Sequence, residues 1–183
     1  MTDENYIKQI LNGNTNAFKH LVDKYKDLVF SVVYNVLQQQ EDAEEVTQDS
    51  FLKAYQNLHT YRAESKFSTW IYRIAYNNAV SKSRLKQKNN QPLNEKLSVA
   101  DYSTENNIAN ASITEVVEHG LKLLPEQDAA IISLYYLDEL PIKEIATVVS
   151  LSESNVKVKL FRARKELYNL LENEYKNELH DLI

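Results

Sequence analysis

The apolar positions of this chain recur with a helical period almost from end to end. Phe18, Leu21, Val22, Tyr25, Leu28, Val29, Val32, Val33 and Val36 follow spacings of three and four, which draws one apolar stripe along a long helix. Asn14 or Asn16 stands ahead of that stripe as a cap, and a short helix over about residues 4–11 precedes it. The next helix covers about 41–58. Acids crowd its start, where the helix dipole favours them, and its stripe is thin: Val46, Phe51, Ala54, Tyr55 and Leu58. After a loop over 59–65, a helix from Phe67 to about residue 88 mixes aromatic with basic and amide side chains.

From 89 to 111 the periodicity is lost, and the segment NNQPLNEKLSVADYSTENNIANA reads as a flexible linker. Four more helices follow it, over 113–124, 126–137, 142–149 and from 153 past 171. Pro125 and Pro141 fall at first helical turns, where a missing N–H costs little. The expected fold is all-α: two small helical domains, 1–88 and 112–183, joined by a flexible linker over 89–111. The second domain carries a helix-turn-helix.

Composition supports this. Two glycines and three prolines in 183 residues argue against a sheet with many tight turns. The absence of cysteine excludes disulfides and thiolate metal sites. MTDENYIKQI is too acidic for a signal peptide, and the run LVFSVVYNVL is too short to span a bilayer, so the expected location is cytoplasmic.

The formal net charge of −5 is unevenly spread. Arg62, Lys66, Arg73, Lys82, Arg84, Lys86 and Lys88 face the single acid Glu64 between 61 and 88. Lys157, Lys159, Arg162, Arg164 and Lys165 face only Glu153 between 152 and 165. The acids gather in EDAEEVTQD and in the tail. Within a Debye length local sign outweighs the total, so two basic segments remain candidates for nucleic acid.

PIKEIATVVSLSESNVKVKLFRARKEL has helix-turn-helix spacing. Ile142, Ile145, Ala146 and Val149 mark the first helix, and Ser152 caps the second. Val156, Leu160, Ala163 and Leu167 face inward there, leaving Asn155, Lys157, Lys159, Arg162 and Lys165 for solvent or DNA. A solvated basic helix closing a bundle is the plainer reading, but the turn, the cap and the charge asymmetry together favour DNA.

In the helix from Phe67, the aromatics Phe67, Trp70, Tyr72 and Tyr76 lie among Lys66, Arg73, Asn77, Asn78, Lys82 and Arg84. Rings that stack on unpaired bases beside cations that hold phosphates make a single-strand binding surface. Part of this set must also be core. In the acidic helix, Glu45, Gln48 and Asp49 on adjoining turns form either a solvated face or a docking surface. His20, His59, His119 and His180 are scattered, and no HExxH, Gly-rich phosphate loop or nucleophile elbow occurs, so no enzyme, cofactor, metal or small-molecule substrate is expected.

Taken in order, DAEEVTQDSFLKAY, FSTWIYRIAYNNA and LPEQDAAIISLYYLDELPIKEIATVVSLSESNVKVKLFRARKEL resemble the bacterial sigma factors of the sigma-70 family. The match is nearest to the small extracytoplasmic-function group, and it covers residues 16–171. The resemblance implies an alternative sigma factor whose partners are core RNA polymerase and promoter DNA, with an anti-sigma factor common among such chains.

The resemblance also implies roles for particular residues. The acidic helix would dock on the polymerase largest subunit through Glu45, Gln48, Asp49 and Leu52. The loop bearing Arg62, Ala63, Glu64 and Lys66 would cradle a base flipped out of the minus-ten element. Phe67, Trp70, Arg73, Asn77, Lys82 and Arg84 would hold and read the same element, with Trp70 against the first unpaired position. Ser154, Asn155, Lys157, Lys159, Phe161 and Arg162 would read the minus-thirty-five element.

Four positions depart from relatives. Ile71 follows Trp70 where housekeeping members carry a second tryptophan, Val158 and Lys159 stand where Ser or Arg is frequent, and Tyr135 stands where an Arg can meet DNA. A conventional helix-turn-helix regulator with a sensing or dimerising N-terminal half is the alternative. A helical scaffold without DNA would leave both basic helices unexplained.

Overall fold

The computed structural model describes residues 2–89 and 113–174. Its elements are α1 (Asp3–Leu11), α2 (Phe18–Leu37), α3 (Gln40–Gln56), α4 (Phe67–Asn89), α5 (Ile113–Leu123), α6 (Glu126–Tyr136), α7 (Ile142–Val149) and α8 (Glu153–Glu174), with single 3₁₀ turns at Thr15–Ala17 and Leu58–Thr60. The architecture is the all-helical one expected. The expected linker lies, from residue 90 on, outside the described residues, as does the tail beyond 174.

α2 is the axis of the first half because its stripe is continuous. Leu21, Tyr25, Val29, Val32, Val33 and Val36 are all buried, against α3 on one side and α4 on the other. Neither Asn14 nor Asn16 caps it. The 3₁₀ turn leads into Phe18 directly, and Ala17 takes the cap position without a side-chain bond. Gln38 ends α2 in the left-handed region at φ 55°, which turns the chain into α3 within three residues. α1 is tied back onto α2 by Asp3, which accepts from Lys24 Nζ at 2.6 Å and from Tyr25 Oη at 2.5 Å.

The thin stripe of α3 buries Ala43, Val46, Phe51 and Ala54, and Tyr55 is left at the surface. α4 is covered on more than one side. It packs on α2 and α3 and also beneath α7 of the second half, and it hydrogen-bonds α6 through Ser83 and Tyr76.

That second half is built on α6, whose residues 129–134 are all buried between α2, α7 and α8. Pro125 and Pro141 sit at the N-caps of α6 and α7, one position earlier than a first turn. α5 crosses α8 at Gly120, where an added Cβ would stand 2.6 Å from Leu167 Cδ1 and 2.9 Å from Leu171 Cδ2. Glycine is favoured there by close approach, not by its backbone angle, since any Cβ would push the ends of these leucine side chains aside.

Among the described residues, no helix is long and apolar enough to cross a membrane.

Candidate nucleic-acid interface

The helix-turn-helix forms where its pattern places it. Ser150 closes α7 at φ 56°, the backbone N–H of Asn155 donates to Ser152 Oγ at 3.3 Å, and α8 begins. Val156, Leu160 and Ala163 lock α8 against α6 and α7, while Leu167 is half-buried over α5. The opposite face presents Ser154, Asn155, Lys157, Arg162 and Lys165, with Phe161 63% exposed among them.

Lys159 differs from its expected place. It turns inward and pairs with Asp128 of α6 at 2.8 Å, half-buried, because that carboxylate lies opposite on the neighbouring helix. Tyr136 of α6 receives Arg164 Nη1 at 3.2 Å, so this arginine is also directed along the protein surface.

The loop between α3 and α4 is small and internally tied. Tyr61 Oη donates to the Ser65 carbonyl at 2.7 Å, and Ala63 takes φ 57°, an unfavoured angle for a residue with a Cβ. Arg62, Ala63 and Glu64 are carried outward on its tip.

Below the loop, three rings form one cluster. Trp70 lies 5.4 Å from Tyr61 and 5.7 Å from Phe67, each tilted. Phe67 is only 2% exposed, and Tyr72 and Tyr76 are buried too, so three of the four aromatics read as stacking candidates are core. Burial pushes the phenols of Tyr61, Tyr72 and Tyr76 upward, which keeps them as neutral hydroxyls. Trp70 is the half-buried member and keeps an edge at the surface.

Arg73, Asn77 and Arg84 are exposed along α4. Lys82 is not free: it pairs with Glu45 at 2.8 Å and with Asp42 at 3.7 Å. Lys86 pairs with Asp42 as well, and its ammonium holds that carboxyl below the usual carboxylate range. Three contacts escaped the sequence reading. Asp42 anchors two α4 lysines, and its only signal was its place among the acids of α3. Tyr61 packs on Trp70. Thr69 is wholly buried and donates to Glu144 Oε2 at 2.7 Å.

On α3, Glu45, Gln48, Asp49 and Leu52 all reach solvent, with Leu52 55% exposed. Beside Leu52, a shallow apolar groove of about 510 Å³ runs between Phe18, Phe51 and Tyr55. An exposed leucine at the lip of an apolar groove, flanked by acids, suits a protein partner better than DNA. Among the described residues, no group of His, Cys, Asp and Glu is arranged to hold a metal.

Comparison with known proteins matches these surfaces to two family descriptions. Residues 21–89 match sigma-70 region 2, and residues 115–167 match sigma-70 region 4. The ECF RNA polymerase sigma factor SigW of Bacillus subtilis is 30% identical over 173 residues, which covers 88% of this chain and 92% of that one. The ECF RNA polymerase sigma-E factor of Haemophilus influenzae is 29% identical over 185 residues, covering 94% and 96%.

Among solved structures, the sigma factor RpoE in complex with the anti-sigma factor NepR from Bartonella quintana superposes with a TM-score of 0.68 at 19% identity, over 85% of this chain and 96% of that chain. CnrH in complex with the cytosolic domain of CnrY gives 0.66 at 21%, over 93% and 97%. These two share the fold. The sequence relationship runs through both helical halves, which the alternative of a conventional regulator does not accommodate. The chain therefore belongs to the sigma-70 family of RNA polymerase sigma factors, in its extracytoplasmic-function group.

Proposed function

We propose that the two halves of this sigma factor divide promoter recognition between them, while α3 holds the polymerase. The carrying observation is the outer face of α8: Asn155, Lys157 and Arg162 stand free around exposed Phe161, on a helix whose other face is fixed by Val156, Leu160 and Ala163. In the major groove, lysine donates to guanine acceptors, asparagine pairs with adenine and arginine holds phosphates. This face reads the minus-thirty-five element, with Lys159 contributing only once it leaves Asp128.

At the other element, opening costs unstacking and unpairing, a few kcal/mol for each extruded base. The exposed edge of Trp70 stacks on the last paired base, and the loop carrying Arg62, Ala63, Glu64 and Lys66 receives the base that leaves. Arg73, Asn77 and Arg84 follow the strand along α4. Phe67 acts from beneath by holding the Trp70 ring in place. Glu45, Gln48, Asp49 and Leu52 dock core polymerase, and the polymerase performs the bond-making chemistry in the cytoplasm.

Each of the two solved relatives is bound by a second protein, an anti-sigma factor in one case and the cytosolic domain of CnrY in the other. A partner of this kind is proposed here also. The test is run-off transcription from a pool of genomic promoter fragments, with core polymerase alone and with this protein added. New transcripts starting at a shared pair of elements are expected. No change in the transcript pool would remove the proposal.

A further inference from the structure

The cations of α4 are Arg73, Lys82, Arg84, Lys86 and Lys88, and they divide between two sides of the helix. At about 100° per residue, Arg73, Asn77 and Arg84 fall within roughly 40° of one another, and all three are exposed. Lys82 and Lys86 lie one turn apart on the opposite side, against α3. There a single carboxylate meets both. Asp42 pairs with Lys86, and its Oδ1 stands 3.7 Å from Lys82 Nζ. Each ammonium also has a second acceptor nearby: Lys82 donates to Glu45 at 2.8 Å, and Lys86 donates to Gln39 Oε1 at 2.6 Å.

The two carboxylates differ in shelter. The Glu45 side chain is 60% exposed and belongs to the face proposed to dock polymerase, while that of Asp42 is 15% exposed. A sheltered carboxylate is costly to leave unpaired, so the pairs of Asp42 persist when a partner draws Glu45 away. The plainer role for Asp42 is that of a first-turn acid which suits the α3 dipole and ties two helices together. Exposed Glu41 serves the same dipole, and one lysine would suffice for a tie. The convergence of two lysines does something further. It turns two cations with long flexible stems away from the solvent-facing side of α4.

We propose that Asp42 is a positioning residue for promoter DNA. By holding Lys82 and Lys86 on α3, it leaves the phosphates to Arg73 and Arg84 and keeps the strand on their side of α4. The proposal rests on the promoter reading for what the freed charges would meet, and on the ion pairs for which charges are withheld.

Asp42→Asn preserves the size of the side chain and one acceptor oxygen, and removes the charge. Holoenzyme assembled from this variant and from the parent is titrated with a mixed-sequence single-stranded DNA oligonucleotide over a salt series. The slope of log affinity against log salt should steepen by about 0.7 for each ammonium that reaches a phosphate, or about 1.4 for both, with tighter binding at low salt. Asp42→Glu retains the charge and should retain the parent slope. Lys82→Gln and Lys86→Gln added to Asp42→Asn should bring the slope back to that of the parent.

A purely structural tie has a different signature: a lower melting temperature and weaker binding at every salt concentration, without a steeper slope. That result in Asp42→Asn would overturn the proposal. So would a slope that stays steep in the triple variant, because the added charge would then come from elsewhere. Arg73→Ala combined with Arg84→Ala tells the two readings apart. If this pair flattens the slope while Asp42→Asn leaves it unchanged, the role of Asp42 alone fails; if neither alters it, the promoter reading of α4 fails as well.

Discussion

Glu45 of α3 and Lys82 of α4 pair with each other at 2.8 Å, although the family resemblance assigns one to polymerase and the other to DNA. The pair joins the two helices proposed to carry the two interfaces. Any partner that engages Glu45 therefore acts on Lys82 as well, leaving that ammonium with Asp42 alone.

Gln48 and Asp49 have no such tie to α4 and are the better test of docking. Asp49→Lys combined with Gln48→Ala should weaken retention on immobilised core polymerase while leaving helicity and melting temperature unchanged. Retention equal to the parent would exclude this face of α3 from the interface.

On α8, Lys157→Ala should relax preference at one or two base pairs of the upstream element, at about 1–3 kcal/mol for a bidentate contact. Arg162→Ala should instead weaken binding to all sequences and reduce the salt slope by about one. Lys159→Ala should do less than either, because Asp128 already holds that ammonium, and Asp128→Asn should strengthen binding to unrelated DNA by releasing it. Binding isotherms of the holoenzyme over a salt series separate these outcomes. If Lys159→Ala had the largest effect on base preference, the inward pairing would not survive on DNA.

Trp70→Ala should reduce promoter opening far more than closed-complex binding, since an aromatic stack is worth about 1–3 kcal/mol per base. A template mismatched across the minus-ten region should restore most of the lost transcription. The ring also packs on Tyr61 and Phe67, so some melting temperature will be lost. A large loss together with no rescue by the mismatched template would make Trp70 purely structural.

Asp138, in the turn before α7, has both carboxylate oxygens buried without a hydrogen-bond partner, and burial pushes its carboxyl up to about 6. It faces the buried Tyr72 phenol of α4, with Tyr25 of α2 and Glu144 of α7 beyond, and Glu144 is itself engaged by Lys66 and Thr69. A carboxyl whose folded value lies above its unfolded value supports the fold below the unfolded value and loses that support as pH rises through the folded one. Between about pH 4 and 6 the parent should therefore lose stability relative to Asp138→Asn. The difference levels off above pH 6 at about 1–3 kcal/mol once solvent screening is allowed for. Parallel pH profiles for the two proteins would mean that the carboxylate reaches water.

The α2 stripe was legible because one face of α2 supplies its core and spacing alone defines a face: Leu21, Tyr25, Val29, Val32, Val33 and Val36 are buried as their pattern requires. The α7–α8 turn was legible for a similar local reason, since Ser152 caps the helix that follows it. α4 was legible only in part. Helical period assigns its residues to faces, but not how many faces are covered, and Tyr72 and Tyr76 are buried because the second half closes over them. The pairings of Lys82, Lys66 and Lys159 were hidden for another reason. Each depends on which carboxylate a neighbouring helix brings opposite, and that register is set by packing between segments 31 to 78 residues apart.

Gly120 bears on how α8 is aimed. α8 is one continuous rod, its far end resting through Leu167 and Leu171 on a backbone that has no side chain at the point of contact. Lys157 lies ten residues from Leu167, about 15 Å along the axis. An alanine methyl at Gly120 would require the Leu167 and Leu171 side-chain ends to shift or α8 to tilt, and a tilt of about 10° would swing Lys157 by roughly 2–3 Å at that arm length. Such a swing approaches the 3.4 Å rise of a base pair. If α8 reads bases as proposed, the base it meets depends on the residue under its tail as well as on the side chains at its tip.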